Sequence, residues 1–315
     1  MRAGGRRAPG AGRAVDLTAT VGSVVLPNPV MTASGTAGLG TELAPYLDLA
    51  ALGAVVVKSL SAEPWEGNPP PRVTETDGGM LNSVGLANPG TRAWQERHLP
   101  ALVAAGARVV VSVWGRTAGG YEAAVPRGLP GAVVALEVNL SCPNLGSDHR
   151  LFAHDPAAAG EVVAAVAGVA DVPVWAKLSP NTHLLVEVAG ACLEAGAQGL
   201  TLLNTLAGLA LDPDTRRPRL GAGSGGLSGP ALRPVAVRAV HECRGAFPGA
   251  AIVGVGGVSR GVHAAELLVA GADAVAVGSA TFADPAAPGR VLAELGDWCA
   301  RRGVAAVADL VGSAR

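Results

Sequence analysis

The chain is poor in aromatic side chains, at 3% of its 315 residues, and poor in charge, at 16%. So few rings cannot build the stacking platforms that bind single-stranded nucleic acid. A net charge of −1 offers no basic face for a phosphate backbone or an anionic membrane. Nucleic acid and membrane are therefore not expected partners. No stretch approaches the ~18 uninterrupted apolar residues of a spanning helix, because Gly, Pro or a charge interrupts every run. The four cysteines, Cys142, Cys192, Cys243 and Cys299, lie far apart in the sequence. That spacing suits neither a zinc site, an iron–sulfur cluster nor a disulfide framework, and the six histidines share no ligand spacing. No metal is expected, and a reducing, cytoplasmic setting is.

Lysine is the scarcest cation. Of 24 basic residues only Lys58 and Lys177 are lysine. A chain that uses arginine wherever a generic cation suffices keeps lysine where a compact charge on a flexible stem is needed.

Residues 1–14, beginning MRAGGRRAPGAGR, resemble neither a secretory signal nor an anchor and read as a disordered tail. Residues 15–315 read as one domain. Eight β-rich runs follow: Val30–Ala33, Ala54–Ser59, Val109–Val113, Ala135–Leu140, Val174–Leu178, Gly199–Asn204, Ala251–Val255 and Ala274–Gly278. They are mostly continuous apolar runs rather than alternating ones, as expected for parallel strands buried on both faces. Helical spacing recurs between them over Thr91–Ala105, Pro156–Ala170, His183–Ala195, Pro230–Arg244 and Gly261–Ala270. Strand and helix alternating eight times predicts an α/β fold, a single (β/α)₈ TIM barrel. A doubly wound open sheet is the alternative, but no G-x-G-x-x-G follows the first strand. Three connections are long: Leu60–Gly90, Ser141–Asp155 and Thr205–Gly229. Each follows a strand at its carboxyl end, the face where barrels carry chemistry, and is expected to lie over that face.

Polar residues gather at those strand ends: Ser34, Lys58 and Ser59, Ser112, Asn139 to Cys142, Lys177, then Asn204 and Thr205. Strands seven and eight end in Gly256-Gly257 and Gly278-Ser279, where glycine backbones can close on a phosphate. A phosphate there and polar donors around the rim suit flavin mononucleotide, whose reduced ring needs a nearby cation. Lys177 is the candidate cation, and Lys58, Asn139 and Ser34 the further donors. A barrel lysine could instead form a Schiff base, which leaves the asparagines and Cys142 idle. Asn82, Asn139, Asn144 and Asn204 offer paired donors and acceptors that match a cyclic imide. Cys192, Cys243 and Cys299 fall on helices and read as small buried apolar groups. The Arg216–Arg219 cluster reads as a solvated loop.

The stretches MLNSVGLANPG, EVNLSCPN, WAKLSPN, LLNTLAG, GGLSGPALRPVA, GVGG and AVAVGSATFADP resemble class 1 dihydroorotate dehydrogenases in order and spacing, from about Val15 to Leu295. LNTLAG and the region Gly221–Ala236 make the chain most similar to the 1B type. The resemblance implies FMN-dependent oxidation of (S)-dihydroorotate to orotate in pyrimidine biosynthesis, by removal of a C5 proton and transfer of a C6 hydride to the flavin. It implies flavin contacts from Ser34, Lys58, Ser59, Asn139, Lys177, Leu203, Gly229, Gly256, Gly257, Gly278 and Ser279. Substrate contacts would come from Lys58, Asn82, Ser83, Val84, Gly85, Leu86, Asn139, Asn204 and Thr205. Cys142 matches the class 1 base, a role open to a thiol of ordinary pKa near ~8.5. A 1B protein would pass electrons to NAD⁺ through a subunit carrying FAD and a [2Fe–2S] cluster, as a heterotetramer; a 1A protein would be a homodimer reducing fumarate. Ser112 and the pair Lys58-Ser59 look 1A-like, and Trp114 stands where a small residue is usual. A flavin ene-reductase acting on another dihydropyrimidine, or a non-catalytic flavin-binding paralogue, are the other readings.

Overall fold

The computed structural model describes residues 14–140 and 152–315. Eight parallel strands form its main sheet: β1 (Val30–Thr32), β2 (Val55–Val56), β3 (Val109–Val113), β4 (Val133–Asn139), β5 (Val174–Lys177), β6 (Gly199–Leu202), β7 (Ile252–Val255) and β8 (Ala274–Val277). Each pairs with its neighbours in sequence, and β8 returns to β1. The remaining seam closes through a parallel bridge between Met31 and Ala54, where Gly53 N donates to Val30 O at 2.8 Å. This closure is the (β/α)₈ barrel, and it excludes the open doubly wound sheet.

The strands are apolar along most of their length because both faces are covered. On β3 and β4, Val109, Val111, Val113, Leu136 and Val138 pack outward against the helices. Met31, Val56, Val110, Ala135, Trp175, Val253, Ala274 and Ala276 fill the interior. Val21, Val24 and Leu26 join that interior cluster from a short hairpin, Ala19–Val21 with Val24–Leu26. Ser23 Oγ on its turn donates to Gln198 Oε1 at 2.9 Å, just before β6, so the hairpin closes the amino-terminal end of the barrel. One residue pair further along the strands the interior turns polar. Ser112, Glu137, Lys177 and Thr201 are all buried, and alternation along each strand points them the same way as Val110, Ala135 and Trp175.

The helices depart from their expected spans in two instructive places. The stretch expected over Thr91–Ala105 is two helices, Thr91–Arg97 and Leu99–Ala104. The break falls at His98 because Pro100 has no N–H to continue the ladder. Pro230–Leu232 is a 3₁₀ turn, and the α-helix runs from Arg233 to Ala246. Asp155 starts the helix Pro156–Ala167 by accepting from Ala157 N at 2.9 Å, as its N-cap position predicts.

Two of the long connections are not plain loops. Val73–Thr76 and Gly79–Asn82 from the segment after β2, with Leu206–Gly208 and Gly225–Ser228 from the segment after β6, make a four-stranded antiparallel sheet. Arg216, Arg217 and Arg219 lie exposed on and beside a separate small hairpin. Among the described residues no helix is long and apolar enough to cross a membrane. The expected tail falls, apart from Ala14, outside the described residues, as does most of the connection after β4.

Candidate active site

A cavity of about 1200 Å³ opens at the carboxyl ends of the barrel strands, bordered by the four-stranded sheet. Strand exits supply Ser34 (β1), Lys58 and Ser59 (β2), Leu203, Asn204 and Thr205 (β6), Gly256 and Gly257 (β7), and Gly278 and Ser279 (β8). Asn139 and Lys177 close β4 and β5, and the four-stranded sheet and its turns add Asn82 to Leu86 and Gly229. All of these residues face one space. Cys142 and Asn144 lie outside the described residues.

Lys177 is held from two sides. Its Nζ donates to Ser34 Oγ at 2.9 Å and lies 3.5 Å from Glu137 Oε1, with both charged side chains buried. Lys177 borders the cavity, while Glu137 sits behind it. The pairing follows from register, since Glu137 stands opposite Trp175 and Asn139 opposite Lys177 on adjacent strands. Lys58 runs past Gly35, where an added Cβ would lie 3.5 Å from its Nζ. Both lysines therefore reach the same cavity.

A chain of side-chain hydrogen bonds links four strands beside them. Asn204 Nδ2 donates to Asn139 Oδ1 at 3.2 Å, Asn139 Nδ2 to Ser59 Oγ at 3.1 Å, and Ser59 Oγ meets Ser112 Oγ at 2.9 Å. Tyr121 donates its hydroxyl proton to the Asn139 backbone carbonyl at 2.7 Å. Ser112 is buried behind the cavity wall and reaches it only through Ser59.

The segment Val84–Leu86 has a distinct construction. Its three carbonyls accept from Asn68 N (3.1 Å), Trp65 Nε1 (3.0 Å) and Asn88 Nδ2 (2.9 Å). In a trans peptide the N–H points opposite to the carbonyl, so the N–H groups of Gly85, Leu86 and Ala87 point away from these three donors. Gly85 and Leu86 both have left-handed φ, 68° and 64°, a rare state for leucine. Such an array of amides suits a carboxylate.

Gly256 and Gly257 have φ of 141° and 68°. A Cβ at Gly257 would sit 2.6 Å from Arg233 Cβ, and one at Gly256 2.7 Å from Ala236 Cβ. Only glycine lets this backbone run so close to the start of the helix Arg233–Ala246. Gly278 is different, with ordinary van der Waals space around an added Cβ. The helix after β8 is only Ala280–Ala283, and Gly261 N at the start of the helix after β7 already donates to Glu294 Oε2 at 2.7 Å. The donor groups on this side of the cavity are thus loop amides, Ser279, Ser259 and the Arg290 guanidinium.

Several lining residues were not singled out in the sequence. Asn181 accepts from Ala207 N at 2.7 Å and donates to Thr205 O at 3.1 Å, fixing the exit of β6. Asn68 Nδ2 donates to Ser83 Oγ at 2.8 Å. Asn181 belongs to the WAKLSPN motif and Asn68 to GNPPPR, so the signal was present. His154, Trp65 and Arg290 also line the cavity, with no comparable signal.

The dihydroorotate dehydrogenase family model matches residues 16–298. The chain belongs to the dihydroorotate dehydrogenase family. It is 45% identical over 299 residues to the dihydroorotate dehydrogenase B (NAD(+)) catalytic subunit of Geobacter sulfurreducens, covering 95% of this chain and 98% of the relative. The corresponding catalytic subunit of Desulforudis audaxviator is 45% identical over 302 residues, with the same coverage. A Solibacter usitatus relative, named as a candidate dihydroorotate dehydrogenase A (fumarate), is 46% identical over 302 residues, 94% of this chain and 98% of its own length. Two of these relatives carry the B-type catalytic-subunit name and one the A-type name, at nearly equal identity.

Proposed function

We propose that this dihydroorotate dehydrogenase family member oxidises (S)-dihydroorotate to orotate in pyrimidine biosynthesis, with FMN in the cavity of the barrel spanning residues 15–315. The observation that carries the reading is one buried ammonium, Lys177, held by Glu137 and Ser34 beside the Asn204–Asn139–Ser59–Ser112 chain. The residues fit a flavin phosphate at the Gly256-Gly257 backbone, where a side chain has no room, with Gly229, Gly278 and Ser279 beside it. Ser34, Lys58, Ser59, Asn139, Lys177 and Leu203 would hold the ring system.

FMN bound there supplies the acceptor for the hydride that leaves C6. Lys177 offers positive charge where a reduced ring gains negative charge. Asn82, Asn139, Asn204 and Thr205 match the imide and ring edges by their paired donors and acceptors. Lys58 and the Ser83–Leu86 segment, with its outward amides, take the carboxylate. Cys142 receives the C5 proton as a thiolate.

In this reading electrons pass to NAD⁺ through a second subunit carrying FAD and a [2Fe–2S] cluster, in a cytoplasmic heterotetramer. The relatives named as catalytic subunits support that arrangement. Anaerobic addition of dihydroorotate to the yellow purified protein is expected to bleach the flavin. No bleaching at millimolar substrate would point to a different cyclic imide, and a colourless protein unable to take up FMN would remove the cofactor. Turnover with fumarate by the isolated chain would overturn the NAD⁺ route in favour of a 1A homodimer.

A further inference from the structure

Trp65 and Trp114 meet edge to face, with ring centroids 5.8 Å apart and planes at 75°. Trp114 is buried at the exit of β3, where its backbone N–H donates to Leu60 O at 2.9 Å. Its position is set by the barrel wall. Trp65 is exposed and borders the cavity. Its backbone exchanges two hydrogen bonds of 2.9 Å with Asn88, and the Arg116 guanidinium lies 5.1 Å above its ring. The indole N–H is then spent on one acceptor, the carbonyl of Gly85, at 3.0 Å.

That carbonyl belongs to the Gly85–Leu86 peptide, between two residues of left-handed φ. Leucine does not settle into this conformation unaided. The bond from Trp65 fixes the plane of this peptide, and so the direction of the Leu86 N–H on its other side. We infer that Trp65 is a positioning residue for the substrate carboxylate, and that Trp114 is the buttress that holds it in place. The large residue at position 114 thereby has a task behind the cavity wall. The inference rests on the reading that the Ser83–Leu86 segment receives the carboxylate of dihydroorotate and orotate.

The test is orotate binding to the FMN-loaded protein, followed by the change in the flavin spectrum, in the parent, Trp65→Phe and Trp114→Leu. Trp65→Phe keeps an aromatic ring facing Trp114 and removes the N–H together with part of the indole's contact area. Its orotate Kd is expected to rise about tenfold, as the loss of one well-placed hydrogen bond predicts. The KM for dihydroorotate should rise in step, with kcat within threefold and FMN content unchanged. Trp114→Leu keeps the N–H but removes its support, and should weaken orotate in the same direction by a smaller factor. A merely structural role would instead lower FMN content and kcat together. An orotate Kd within twofold of the parent in Trp65→Phe overturns the inference. A parent protein that takes up FMN but never responds to orotate overturns the substrate reading itself, a separately visible result.

Discussion

Glu137 and Lys177 form an ion pair inside the barrel, 3.5 Å apart on adjacent strands, with side chains 3% and 5% exposed. An isolated charge at such a depth is costly, and a pair is tolerated because each partner offsets the other. Glu137 Oε1 accepts no hydrogen bond, so Lys177 is its compensation. Glu137→Leu leaves the ammonium without its counter-charge and is expected to destabilise the folded protein by about 3 kcal/mol, near the lower end for a broken buried pair. Lys177 also borders the cavity, where water can reach it, which keeps the loss from being larger. Urea unfolding of the holoprotein measures it, and a loss under 1 kcal/mol would mean that the pair contributes little.

Ser112 touches the site only through Ser59. Ser112→Ala should therefore cost about 1 kcal/mol of stability, one buried hydrogen bond, and leave FMN affinity within threefold. Asn139→Leu breaks the same chain at its centre, between Ser59 and Asn204, and should lower both FMN content and orotate affinity at least tenfold. Equal effects from both variants would contradict the order in which the chain is built.

The backbone at Gly257 has left-handed φ and no room for a methyl group beside Arg233. Gly257→Ala is expected to reduce FMN affinity more than tenfold, measured by fluorescence titration of apoprotein. Riboflavin, which lacks the phosphate, should be affected much less. Gly278→Ala meets only ordinary protein contacts and should leave the stability of the apoprotein within about 1 kcal/mol of the parent.

Burial pushes the Cys192 and Cys243 thiols up to about 12 and raises that of Cys299. All three are free and buried, so they remain neutral thiols at neutral pH and react poorly. A disulfide reagent applied to the native protein should label one thiol per chain, Cys142, and all four after unfolding. Cys142→Ala should abolish native labelling and slow dihydroorotate oxidation by about 10²–10⁴-fold. A parent rate in that variant would remove Cys142 as the base.

Much of this architecture is legible in the chain because a parallel barrel buries both faces of each strand, so Val109–Val111 or Ala274–Val277 reads as an unbroken apolar run. Polar residues ending such runs, Lys177 and Asn139 among them, mark the rim. The four-stranded sheet is not legible. Its strands have three or four residues, include Gly79, Gly208, Gly225 and Gly226, and pair segments far apart, Asn82 with Gly226. No local pattern encodes such a pairing. The hairpin at Ala19–Leu26 escaped for a similar reason, being two runs of three residues. Glu137 was visible as a charge inside the apolar run of β4, but its partner two positions along the next strand depends on register. Trp65, His154 and Arg290 reach the cavity only because the chain folds them there.

The chain's only two lysines both border one cavity, and Lys177 is buried in its wall. Every other permanently cationic side chain is a guanidinium, which acyl donors do not modify under conditions that modify an ε-amine. Reagents or metabolites that acylate amines therefore find side-chain targets only within the cavity. Lys58 is the more accessible of the two. Differential acylation with and without orotate would thus read occupancy of the pocket directly, with the α-amino group as internal reference and no engineered label required.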